Sequence, residues 1–263
     1  VVGTDTEAQR EAALTLLDAI EILPGSELYV GDLHVHSRVS TGTPTPWEAV
    51  SAAVAGMMDF VALADDNTQA GYDEAAAAIT RHQLRFTVLP GEELICDWGH
   101  LLAYGLSKPV APGPDPKAAL DAIHQGGGLA ILAHPGNPEP MSPWATSALE
   151  NPKAAGVDGF EISFRTLDAV PRWRETGEVP LILASLGTRT ASFTFPARTL
   201  IVAKNDRPET LMAALKAGHA VAYWQGQLFG PLPAVRTVSL LMQDKNRLED
   251  TFWRRLARRA RSF

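Results

Sequence analysis

Cysteine is almost absent from this chain: Cys96 stands alone. One thiol cannot close an intrachain disulfide, and it excludes a zinc site built from several cysteines. A reducing compartment fits this usage, so the expected location is cytoplasmic. The first residue is Val1 rather than Met, and a removed upstream leader is equally compatible with the sequence. Long apolar runs are missing too. None approaches the ~20 residues of a membrane-spanning helix, so no span is expected. Positive charge is in deficit, with 23 Lys and Arg against 30 Asp and Glu for a net −7. That balance argues against a nucleic-acid partner. There is no fixed-period repeat and no low-complexity run, which removes the solenoid and disordered-repeat classes.

What remains is a chain rich enough in apolar residues (46%) to bury a large core. Its 263 residues are a normal length for one α/β barrel. Short apolar strands alternate with Ala-rich helices. The spacing predicts strands at Leu28–His36, Phe60–Ala64, Phe86–Leu89, His100–Tyr104, Leu129–Ala133, Gly159–Ser163, Leu181–Ala184 and Thr199–Ala203. Helices are predicted at Pro46–Ala55, Gly71–Arg81, Pro116–Gln125 and Pro208–Ala217, and Pro135–Pro152 reads as a long loop. This rhythm gives an α/β fold with a largely parallel sheet, closed or distorted into a barrel; a doubly wound sheet has a similar rhythm.

Three regions are expected. Residues 1–27 form a helical segment with a capping box at Thr4–Glu7, stopped by Pro24-Gly25. Residues 28–224 form the barrel. Residues 225–263 form a tail, where Trp253, Leu256, Ala257 and Ala260 oppose Arg254, Arg255, Arg258, Arg259 and Arg261 at helical spacing. Such a helix either docks on the barrel or touches an anionic membrane surface, and its shortness favours docking.

The chemistry-bearing residues cluster at strand ends. In Gly31-Asp32-Leu33-His34-Val35-His36, strand alternation turns His34 and His36 to one side and Leu33 and Val35 to the other. Asp65 and Asp66 follow the apolar run Phe60–Leu63, where adjacent carboxylates serve either a cation or an N-cap. Glu92 follows Leu89-Pro90-Gly91 at a position suited to a bridging carboxylate, which makes Glu93 a solvated neighbour. His100 opens one apolar strand and His134 ends another. The remaining histidines, His82, His124 and His219, fall in or just past helices and read as surface residues. Imidazoles and carboxylates at successive strand ends suit one or two divalent transition ions, zinc, manganese or iron.

These segments, with Thr45–Val50, Gly99–Gly105 and Ala133–Gly136, resemble the polymerase-and-histidinol-phosphatase (PHP) superfamily, in particular the branch that includes carbaryl-hydrolase-like metallohydrolases. The likeness runs from about Leu28 to Trp224. It implies a distorted (β/α)7 TIM-like barrel and metal-assisted hydrolysis of phosphoesters, other esters or carbamates. By position it implies a first metal on His34, His36 and Glu92, and a second on Glu92, His100 and His134. Asp65 matches the aspartate of the family's Asp-His pair, as a ligand or as the group that orients or deprotonates the attacking water. Asp66 stands in place of that pair's histidine. The family's late Asp-x-His motif is broken, with Leu186 and Thr188 in its two ligand positions, and the loop ligand expected after His36 is replaced by Thr41 or Gly42. Arg38 and Arg165 are candidate clamps for an anionic substrate.

The expected function is therefore a metal-dependent hydrolase, a phosphoesterase or an ester or carbamate hydrolase acting on a small anionic or ester substrate. The alternative is a barrel that has lost catalysis and serves as a binding or structural module. The oligomeric state is not written in the sequence.

Overall fold

The computed structural model describes residues 25–136, 141–185, 187–191 and 197–243. The expected N-terminal helix, the basic C-terminal helix and Leu186 lie outside these residues.

In chain order the elements are β1 (Glu27–Val35), α1 (Pro46–Ala55), β2 (Phe60–Leu63), α2 (Ala70–His82), β3 (Thr87–Leu94), β4 (Leu101–Tyr104), α3 (Pro116–Gln125), β5 (Leu129–Leu132), α4 (Pro143–Glu150), α5 (Pro152–Ala155), β6 (Gly159–Glu161), α6 (Phe164–Thr176), β7 (Leu181–Leu183), β8 (Arg198–Ala203), α7 (Pro208–Lys216), β9 (Ala220–Trp224), β10 (Gln227–Phe229) and α8 (Leu232–Gln243). One sheet carries every strand in the order β10-β9-β8-β1-β2-β3-β4-β5-β6-β7. Its β1-β2-β3 and β5-β6-β7 runs are parallel, whereas β4 and β8 to β10 pair antiparallel to their neighbours. The sheet nearly closes. Past β7 the Thr188 N–H donates to the His34 carbonyl of β1 (2.9 Å) and the Thr188 carbonyl accepts the N–H of His36 just past β1 (2.8 Å), and the Thr199 hydroxyl of β8 bonds the Ala184 backbone (3.0 Å to its N–H). The expected α/β barrel is the fold found.

Side-chain alternation divides the core. Ala62, Leu89, Leu102, Tyr104, Ile131, Leu183 and Ile201 fill the barrel interior. Val61, Leu63 and Val88 face outward under α1 and α2, and Leu200, Val202 and Val221 meet α8. Helix starts are well specified. Thr45 and Glu48 form a reciprocal capping box on α1, and Ser142 and Ser163 cap α4 and α6 through their hydroxyls.

Three expectations change here. The stretch Pro135–Pro152 contains α4, which Ser142 and Pro143 start, so it is not a continuous loop. The sheet continues past Trp224 into β10. Strand β1 also carries a bulge between Asp32 and Val35. The extra residue resets the alternation. Leu33 packs in the barrel interior, and Val35 faces outward beneath α1. Leu33 therefore shares the inner side with His34 and His36 instead of opposing them, because a bulge re-aims the side chains that follow it.

Candidate metal centre

Six polar side chains converge at one mouth of the barrel. His34 and His36 come from the bulged end of β1, Glu93 from β3, His100 from the start of β4, His134 from the end of β5, and Glu161 from the end of β6. His34, His36, Glu93 and Glu161 are buried, and the other two are partly open.

Glu93 is the hub. Its Oε2 lies 3.2 Å from His34 Nε2 and 3.2 Å from His36 Nε2. Its Oε1 lies 2.9 Å from His134 Nε2 and 3.1 Å from His100 Nδ1. One carboxylate thus serves two imidazole pairs, one pair on each oxygen. His34 Nε2 and His36 Nε2 are themselves only 3.0 Å apart.

The far sides of the first pair are held by other carboxylates. His34 Nδ1 lies 2.9 Å from Glu161 Oε1. His36 Nδ1 lies 3.1 Å from Asp66 Oδ1, at ion-pair distance but off the line of a hydrogen bond, and 3.4 Å from Ser40 Oγ. Carboxylates behind imidazoles fix the Nδ1–H tautomer and turn the Nε2 lone pairs inward. Two such lone pairs and a carboxylate oxygen within 3.2 Å repel one another unless a proton or a metal cation sits among them. The groups His34–His36–Glu93 and Glu93–His100–His134 each bring three ligand atoms within 4.8 Å. Two imidazoles and a shared carboxylate are donors that divalent transition ions accept. The residues present fit such ions.

The protein's own charges point the same way. Burial pushes the His34 ring toward the neutral form, but Glu161 and Glu93 beside it raise its pKa well above the usual histidine value. Burial would raise Glu93 as well, yet His34 and the hydrogen bonds from the histidines hold it below the usual carboxylate range. Asp32, one step deeper on β1, is pushed up to about 6 by burial, against the hydrogen bond it accepts from the His34 N–H (2.9 Å). The site is built to hold positive charge among carboxylates.

Two local distortions place ligand atoms. The β1 bulge is the first. The second is His134, which strand alternation would send outward after Ala130 and Leu132; both pack in the outer cluster. Its φ is 23°, in the left-handed region, and its N–H donates to Glu161 Oε2 at 2.8 Å. Strain of this kind persists where the surroundings enforce it, and it concentrates at functional sites.

The mouth opens into a cleft of about 440 Å³, lined by His100, His134, Glu161, Ser185, Gly187 and Arg189 among others.

No protein-family model matches the chain. A 99-residue stretch is 37% identical to a 3',5'-nucleoside bisphosphate phosphatase of Chromobacterium violaceum, covering 36% of this chain and 33% of that protein. The match thus spans about a third of that curated relative's length. In three dimensions the chain is similar to a two-domain protein of Bacteroides vulgatus, described as containing a predicted PHP-like metal-dependent phosphoesterase. That similarity has a TM-score of 0.65 at 18% identity, over 83% of this chain and 71% of the other. The fold is that of the PHP-like phosphoesterases. A lesion-specific endonuclease of Pyrococcus furiosus shares it more distantly, with a TM-score of 0.55 at 14% identity over 73% of this chain and 56% of the other. These names speak for the phosphoesterase side of the resemblance and not for its carbaryl-hydrolase branch.

Within this PHP-like barrel the residues expected from the sequence are distributed unevenly. His34, His36, His100 and His134 come together as described. Glu92 does not join them. Strand β3 runs on through Pro90-Gly91 to Leu94, so alternation sends Leu89, Gly91 and Glu93 inward and Glu92 outward. Glu92 is buried on the far side, where its Oε1 accepts the Val110 N–H at 2.7 Å and its Oε2 has no hydrogen-bond partner among the described residues. Burial pushes its pKa up to about 7, against that hydrogen bond. Glu93, expected in solvent, lies between the two imidazole pairs.

Asp65 is buried but turned away from the imidazoles. Its carboxylate accepts the Ser37 N–H (2.7 Å), the Ser37 hydroxyl (2.8 Å) and the Ser40 hydroxyl (2.7 Å), which ties down the loop after His36. Those three donors place it to shape the loop. Gly71 of α2 makes room for it, since a β-carbon there would fall 1.9 Å from Asp65 Oδ2. Asp66 sits behind His36. Arg38 is exposed, and its charge acts on Glu48 at the start of α1. Arg165 lines a neighbouring cleft with Phe164, Asp168 and Trp224. The Thr188 hydroxyl turns down to Asp32 Oδ2 at 3.4 Å.

Glu161 went unread in the sequence. Besides His34 Nδ1 and the His134 N–H, it accepts the Ser185 hydroxyl at 2.6 Å. The available signal was a lone carboxylate inside the apolar strand Gly159–Ser163.

Proposed function

We propose that this chain is a metal-dependent phosphoester hydrolase whose two ion positions share Glu93. The observation that carries the reading is the Glu93 carboxylate, with one oxygen facing His34 and His36 and the other facing His100 and His134. His34, His36 and Glu93 would hold one ion; Glu93, His100 and His134 would hold the other. Zinc, manganese and iron all suit this donor set. Ions held there would polarise the phosphoryl oxygen and lower the pKa of an attacking water.

The chain's own residues do the rest. Glu161 and Asp66 orient the two β1 imidazoles from behind. Asp65, through Ser37 and Ser40, holds the loop that roofs His36. The cleft beside His100 and His134 admits a small substrate and leaves that side of the cluster open. The relatives' names favour phosphoesters over carboxylic esters or carbamates. A module that had lost its chemistry would have little use for five buried or half-buried ligand-type side chains aimed at one point, because unneutralised polar groups in a barrel cost stability.

The test is hydrolysis of simple phosphomonoesters by protein stripped of metal and then reloaded. Activity should return with zinc, manganese or iron and should stay absent in His36→Ala. Equal turnover by the stripped protein would refute the reading.

A further inference from the structure

Among the described residues that line the 440 Å³ cleft, Arg189 is the one permanent cation. It leaves β7 two residues past Gly187, beside the backbone bridge that Thr188 makes to β1. The loop after His36 holds its base. The Arg189 carbonyl accepts the Thr43 N–H at 2.8 Å and the Thr43 hydroxyl at 3.1 Å. Its Nε donates to the Thr41 hydroxyl at 3.2 Å. With Nε engaged, the two terminal nitrogens are the free part of the fork. No carboxylate among the described residues pairs with them.

Gly187 locates them relative to the imidazoles. A β-carbon on Gly187 would lie 3.7 Å from Arg189 Nη1 and 3.7 Å from His34 Nε2. Arg189 Nη1 and His34 Nε2 therefore stand no more than about 7.4 Å apart, around the position that β-carbon would take. Gly187 adopts a left-handed φ of 58° that favours glycine, and it leaves that position free of a side chain. A planar cation with free N–H groups, an open space and a cluster suited to divalent ions in a row are complementary to a tetrahedral oxyanion.

We propose that Arg189 is the specificity-determining residue of this site: its terminal nitrogens hold the non-reacting oxygens of a phosphomonoester and select dianionic substrates over neutral esters. This rests on the hydrolase reading above and assigns its substrate class. Thr41 and Thr43 preset the fork, so little conformational freedom is lost when the anion arrives. Arg189 touches none of the six clustered side chains by hydrogen bond or ion pair among the described contacts, so it can be changed without removing a ligand.

The test uses the full chain loaded with zinc or manganese and compares wild type, Arg189→Met and Arg189→Lys. Inorganic phosphate binding is measured by calorimetry, and metal per chain by elemental analysis. Loss of a charge-assisted, two-pronged contact should weaken phosphate binding about 10- to 100-fold in the Met variant. The Lys variant should recover part of the loss, because it restores charge but not the fork. Metal per chain should not change. For a phosphomonoester KM should rise more than kcat falls, while hydrolysis of a neutral aryl ester should be unaffected. If wild type binds metal and phosphate and Arg189→Met binds phosphate equally well, the Arg189 assignment is wrong and the hydrolase reading survives. If loaded wild type binds no phosphate yet cleaves neutral esters, the substrate class is wrong. If wild type holds no metal and cleaves nothing, the hydrolase reading falls and takes this assignment with it.

Discussion

Glu92 and Glu93 are neighbours on β3 and face opposite sides of it. Glu93 meets four histidines at the barrel mouth; Glu92 meets the Val110 N–H on the outer side, and its second oxygen has no hydrogen-bond partner among the described residues. The pair therefore separates a candidate ligand from a structural carboxyl. Burial raises Glu92 from 4.5 to about 7. Folded protein then keeps this proton up to about pH 7, while the unfolded chain releases it near 4.5. Between those values folding takes up a proton, so stability falls as pH rises, and the loss is complete above 7. Glu92→Gln removes the titration. It should melt about 2–4 °C above wild type at pH 8, with the gap closing below pH 4.5 and metal content unchanged. A pH-independent difference between the two melting curves would contradict this assignment.

The second ion position can be removed alone. His100 and His134 meet only the Oε1 side of Glu93. The double variant His100→Ala, His134→Ala should therefore hold about one ion where wild type holds about two, with the His34–His36 half intact. Elemental analysis on protein purified without chelator decides it. Retention of both ions would mean that these two histidines do not ligate.

Glu161 is expected to matter for both fold and metal. It neutralises His34 and accepts the His134 N–H and the Ser185 hydroxyl, all within the barrel. Glu161→Ala strands those buried donors and should cost about 3–5 kcal/mol of stability. Glu161→Gln fits the same space but loses the charge behind His34. It should fold and lose metal affinity about 10- to 100-fold, measured by competition with a chelating dye. Wild-type affinity in the Gln variant would show that His34 needs no anionic support.

Cys96 should be a slow nucleophile. Burial and the neighbouring Asp97 raise its thiol from 9.0 to about 11, against a hydrogen bond with Gly113. Only the thiolate reacts, so the rate at pH 8 should fall about 100-fold below that of an unperturbed thiol. Iodoacetamide labelling should keep accelerating up to about pH 11 and become fast at pH 8 only in urea. A plateau near pH 9 would refute the shift.

The sequence carries the barrel and the four histidines in plain form. Strand-end histidines after fully apolar runs such as Leu129–Leu132 have few other uses, and the alternation of strands and helices points to the α/β barrel; the expected largely parallel sheet is not found, since five of the nine strand pairings are antiparallel. Three features escape such reading because they depend on partners. Pro90-Gly91 looks like the end of a strand, yet β3 passes through it because β2 and β4 pair on both sides, and that one fact exchanges the roles of Glu92 and Glu93. The β1 bulge shows only in its register with β2. Asp65 at a strand end reads as a ligand, but Ser37 and Ser40 engage it first, through contacts some 25 residues away in sequence. Helices α4 and α6 are hard to read because α4 lies in a Pro-, Asn- and Ser-rich stretch and Pro171 sits inside α6; the caps Ser142 and Ser163 are the signal.

The most direct test of the shared-carboxylate centre is a metal titration of stripped protein, wild type against Glu93→Ala, with folding checked by thermal melt. Among the described residues Glu93 is the one side chain that the ligand groups His34–His36–Glu93 and Glu93–His100–His134 share; a third group, His34–His134–Glu161, lacks it. Wild type should take up about two equivalents of zinc or manganese, and Glu93→Ala should fold and bind less than one, at much weaker affinity. Two tightly bound ions in Glu93→Ala, or only traces in wild type after saturation, would contradict the account.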